Sequence, residues 1–133
     1  MKKHRRKHLA KTLQDRIDSS NEGLNVSLLP PGTILTLETL YSFYRVEIVE
    51  GKEILITGGM RKDGEDRFPN PTKAIICGST WGGSCIKVDW IGREMHLEVV
   101  FGEDLKNKLL TSRILNLTIE APDGSWSYSM DWK

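Results

Sequence analysis

The residues with the most chemical potential lie together in Gly78-Ser79-Thr80-Trp81-Gly82-Gly83-Ser84. Glycines let backbone amides approach a phosphate, and an indole offers a face on which a base stacks. Ser79, Gly82 and Gly83 are therefore the candidate ligand-loop residues, and Trp81 is the candidate base platform. The phosphate loop of nucleotide-hydrolysing enzymes is excluded. That loop ends in Gly-Lys-Ser/Thr at the start of a helix, whereas here Ile86-Lys87-Val88 follows with strand character. The plain alternative is a tight connection between two strands.

The second chemical feature is a basic N-terminal arm. Residues 1 to 16 hold seven Lys/Arg against Asp15, leaving +6, while twelve Lys/Arg against seventeen Asp/Glu leave the remainder at −5. Lys2, Lys3, Arg5, Arg6, Lys7 and Lys11 are the candidate phosphate contacts, and binding through them should weaken steeply with salt. Leu9, Leu13 and Ile17 recur every four residues, which puts them on one face of a short helix. Such a stripe can dock on a protein partner, pair with a second copy or lie on an anionic surface. His4 and His8 share that spacing but have no carboxylate near them in sequence to complete a metal site.

Catalysis finds little support, and the chain reads as a non-enzyme without cofactor or metal. His96 falls on the polar face of a strand with no nucleophile tied to it. Glu47, Asp89 and Glu98 fall on the wet faces of strands, where no second carboxylate pairs with them for acid and base roles. The charged stretch Met60 to Thr72 reads as a long polar loop and lacks the alternating oxygen ligands of a calcium loop. Cys77 and Cys85 are too few for a disulfide framework and suit a reducing compartment.

The elements that must position these groups are strands. Tyr44, Val46 and Ile48 alternate with polar neighbours, as do Ile86, Val88 and Trp90, then Met95, Leu97, Val99 and Phe101. Leu115, Leu117 and Ile119, and Trp126, Tyr128, Met130 and Trp132, repeat the pattern. Period-two alternation gives each strand one buried and one wet face. Leu35 and Leu37 mark a further core-facing strand after Pro30-Pro31-Gly32, Glu50-Gly51-Lys52 suits a tight hairpin, and Ile75 and Ile76 mark another strand before a turn at 79 to 84. About eight strands without helical period suggest an all-β fold, a small antiparallel barrel or two-layer sandwich. The chain then divides into a basic arm over 1–22, which lacks the apolar segment of a signal peptide and is joined through the polar run from Asp18 to Gly23, and one β domain over 23–133.

With 133 residues, 38% hydrophobic and 28% charged, the chain is long enough for one core. No apolar run spans a bilayer, so the expected location is cytoplasmic.

Two resemblances attach to particular residues. Phe68-Pro69-Asn70-Pro71-Thr72, Gly78 to Ser84, Ile86-Lys87 and Trp90-Ile91-Gly92, with Leu29-Pro30-Pro31-Gly32-Thr33 and Tyr44-Arg45-Val46-Glu47, resemble a group of short uncharacterised bacterial β-rich proteins over residues 28 to 101. The resemblance implies a common fold and supplies no mechanism. Ser79 and Gly82 also resemble part of the pattern of PilZ domains, β-barrels that bind cyclic di-GMP. Cys77 stands where that family has Asp or Asn, and the arm lacks the family's arginines four apart.

Three expectations follow. One is a non-catalytic module contacting nucleic acid through the arm and Trp81; a second is a protein-interaction or structural domain using the arm's apolar stripe; a third is a cyclic-dinucleotide sensor using the 78 to 84 loop.

Overall fold

Alternating sequence becomes alternating burial along most of the chain. The computed structural model describes residues 22–61, 63–82 and 85–133. The arm, and with it the expected helix bearing Leu9, Leu13 and Ile17, lies outside the described residues. The described residues form ten strands: β1 Gly23–Asn25, β2 Ile34–Thr39, β3 Phe43–Glu50, β4 Glu53–Met60, β5 Asp66–Thr80, β6 Lys87–Val88, β7 Trp90–Gly92, β8 His96–Phe101, β9 Asn107–Glu120 and β10 Ser127–Asp131.

Eight strands form one antiparallel sheet in the order β10-β9-β2-β3-β4-β5-β6, with β8 between β5 and β9. The all-β expectation therefore holds, and the sheet curls into a ring-like arrangement. It does not close as a regular barrel wall, because β9 meets β8 through Asn107 to Arg113 and β2 through Ile114 to Glu120. A register shift at that handover leaves Leu115 as an extra residue. Ile114 consequently takes the fully buried place, and Leu115, expected in the core, is half-buried.

Leu35, Leu37, Val46, Ile56, Ile76, Leu97, Val99, Leu117 and Ile119 are fully buried inside the ring. Each such aliphatic side chain contributes about 1.5–3 kcal/mol relative to exposure. The separate β1–β7 pair covers part of this core with Leu24 and Ile91. Strand β1 begins at Gly23, the last residue of the polar run read as a link, and Leu24 and Val26 are buried just beyond it.

Other expectations need correction. The stretch Met60 to Thr72 is mostly strand: β4 runs through Gly58-Gly59 to Met60, and β5 begins at Asp66. Ile56 faces Thr72 while Gly58 faces Phe68, so Pro69-Asn70-Pro71 opposes Thr57 alone. A bulge tolerates proline because the paired hydrogen bonds are already interrupted there. The expected single strand from Ile86 to Ile91 is broken at Asp89, whose φ of 61° turns the chain between β6 and β7. Val88 is consequently 59% exposed, and Ile91 takes the core position.

Candidate functional site

A cavity of about 440 Å³ opens beside the end of β5. Its floor is Ser79 and Met95, both buried, with Ser79 Oγ 3.6 Å from Met95 Sδ. The expected turn at 79 to 84 starts later than foreseen: Ser79 and Thr80 complete β5, and Ser79 faces Leu97 across the sheet. This register buries the serine, the position that matches the PilZ pattern. Gly82 follows at φ 119° with nothing near the place of a side chain, while its amide and carbonyl both meet Thr80 Oγ1. Gly83 lies outside the described residues, as do Lys2, Lys3, Arg5, Arg6, Lys7 and Lys11.

The walls are aromatic and cationic. Trp81 stands 69% exposed at the rim, and the Trp90 ring carries the Lys87 ammonium 3.8 Å from its centre. Behind Trp90, a side-chain carbon at Gly23 would come within 2.7 Å of the indole, so glycine lets β1 pack directly against it. Glu22 completes the rim, its carbonyl accepting a hydrogen bond from Arg93 N at 2.8 Å. The basic arm is therefore joined covalently to the chain at the edge of the cavity. Trp90 and Glu22 were missed as site residues in sequence, because an unbroken alternation from Ile86 placed Trp90 in the core. The signal available was Asp89, a residue type that tolerates left-handed backbone.

On the other side of β8 a second cluster forms. Glu98, expected on a wet face, is only 7% exposed and pairs with Lys108 at 2.6 Å. Lys52 pairs with Asp89 at 2.9 Å, and Cys77 lies among these groups. Burial foremost, then Glu98 as a charge and hydrogen-bond acceptor, pushes the Cys77 thiol up and keeps it protonated. A protonated thiol is a poor nucleophile. Cys77 and the exposed Cys85 are both free. His96 is half-buried, with Nδ1 donating to the Thr111 carbonyl at 2.7 Å. Among the described residues no three His, Cys, Asp or Glu side chains are grouped to hold a metal, and no helix is long and apolar enough to cross a membrane.

No protein-family model, curated protein or solved structure matches the chain.

Proposed function

We propose that this protein is a non-catalytic binding module that contacts nucleic acid. The basic arm supplies phosphate neutralisation through Lys2, Lys3, Arg5, Arg6, Lys7 and Lys11, and Trp81 supplies a stacking face. The observation that supports this reading is the meeting of the two at one place: Glu22, the last residue of the arm, shares the cavity rim with Trp81 and Lys87. Lys11 is eleven residues from Glu22, a span of at most about 38 Å when extended, so the charges of the arm can reach a ligand held at the cavity.

The test compares the full chain with a variant in which Lys2, Lys3, Arg5, Arg6 and Lys7 become Gln. Fluorescence anisotropy of labelled single-stranded RNA and duplex DNA is read at low and moderate salt. Salt-sensitive binding by the native chain and loss of binding in the variant, at unchanged melting temperature, support the proposal. Unaltered binding in the variant removes the arm from it, and absence of binding by the native chain removes nucleic acid as the ligand.

A further inference from the structure

The floor of the cavity beside β5 holds a polar group that the fold leaves poorly served. Ser79 is fully buried, and among the described residues its hydroxyl has one side-chain partner, Met95 Sδ at 3.6 Å. A thioether is a weak acceptor, so the donor gains little and the oxygen's lone pairs stay open. A buried hydroxyl in that state costs stability, and packing alone gives no reason to keep it. The walls above it are aromatic. Trp81, two residues on from Ser79, lines the same cavity and is 69% exposed. Trp90 is fixed as the other wall: a side-chain carbon at Gly92 would stand 2.7 Å from its Nε1, so glycine lets the indole edge come together with Met95. One face of that ring is already taken by the Lys87 ammonium, 3.8 Å from its centre. The exposed Trp81 ring is the platform left for a ligand, with Ser79 at the floor and Lys87 at the wall.

We infer that the cavity takes in one unpaired base, stacked on Trp81 and hydrogen-bonded at its edge by Ser79, with the attached phosphate meeting Lys87. This inference rests on the nucleic-acid reading above and adds what the cavity itself recognises. The volume of about 440 Å³ falls within the range of about 300–1,000 Å³ that small-molecule sites occupy. Every base has a flat face for an indole and an edge of donors and acceptors, and a serine hydroxyl answers either kind. In a duplex that edge is turned to the pairing partner and the face to its stacked neighbours. A paired base therefore offers the cavity nothing until it is extruded, which favours the single strand.

The test uses the full chain, a fluorescein-labelled oligothymidine, an abasic strand of the same length and charge, and thymidine monophosphate. The native chain should bind oligothymidine about fivefold or more tighter than the abasic strand. Ser79→Ala should narrow that ratio about threefold or more, at an unchanged or raised melting temperature, because it removes a hydroxyl that the fold itself serves poorly. Trp81→Ala, at an exposed position, should narrow it as well. Thymidine monophosphate should raise the melting temperature of the native chain more than that of either variant. Equal affinity for the two strands, or a ratio that survives Ser79→Ala, overturns base insertion, while salt-sensitive binding of both strands leaves the arm-based reading standing. If the native chain binds neither strand, the nucleic-acid reading falls and the thymidine monophosphate shift decides the cavity separately. A shift lost in Ser79→Ala supports a nucleotide site there, and no shift overturns that too.

Discussion

Lys108 Nζ lies 2.6 Å from Glu98 Oε1, and the carboxylate it holds is nearly enclosed while the lysine itself is largely open to solvent. The asymmetry arises because Glu98 sits in the middle strand of β5-β8-β9, where neighbours cover both sides, and Lys108 reaches in from near the start of β9. Removing the cation would leave a buried charge without its partner, whereas removing the charge would leave a flexible lysine free to hydrate.

Lys108→Met is accordingly expected to destabilise the fold by about 1–3 kcal/mol, and Glu98→Gln by less. Urea titrations of the two variants check the order. Equal losses would mean that the pair acts as an ordinary surface ion pair.

Gly59 is held against the Tyr44 ring, where an added side-chain carbon would stand 2.4 Å from Cε1, and its φ is 75°. Gly59→Ala should therefore destabilise by about 1–3 kcal/mol through steric overlap and left-handed strain together. Gly64→Ala serves as the control: it has a similar φ of 84° but nothing within contact range, so its loss measures strain alone.

The two faces of the region after β5 can be told apart by charge. Leu97 is fully buried and Val88 is 59% exposed. Leu97→Asp should prevent folding, while Val88→Asp should change the melting temperature little, since an exposed carboxylate stays hydrated. A large loss on Val88→Asp would mean that β6 turns its other face outward.

Stability should fall as the solution is made alkaline. Burial raises Tyr44, burial and then Glu98 raise Cys77, and a hydrogen bond to Glu38 raises Lys133, so all three keep their protons longer in the folded chain. The contribution is complete below the unfolded values, which begin near 8.5 with cysteine, and is lost as pH rises through the folded ones. Cys77→Ala should flatten the first part of this decline in melts taken from pH 7 upward. Timed alkylation with peptide mapping gives a second check, in which exposed Cys85 reacts well before Cys77.

Local pattern was enough for the fold class and for most of the inward faces. Tyr44, Val46 and Ile48, Met95, Leu97 and Val99, and Met130 and Trp132 alternate in sequence and are buried as the period demands. A strand carries this information within itself, because its side chains point to opposite faces in turn. Tight turns at Gly51 and around Asp123-Gly124 were legible for the same local reason. The basic arm, too, was apparent from charge alone.

Tertiary pairing decided the rest. Pro69 and Pro71 read as loop until β4 is seen to run past them with a bulge, and Glu98 reads as wet until β5 and β9 flank it. Asp89 breaks an apparently regular strand, which brings Trp90 and Lys87 to the cavity with Trp81. Likewise Thr80, His96, Arg113 and Tyr41 become neighbours only through register and strand order. The physical reason is common to all of these: a side chain's own strand sets which face it occupies, but what lies beside it on that face is set by other strands, far away in sequence, and by where their ladders slip.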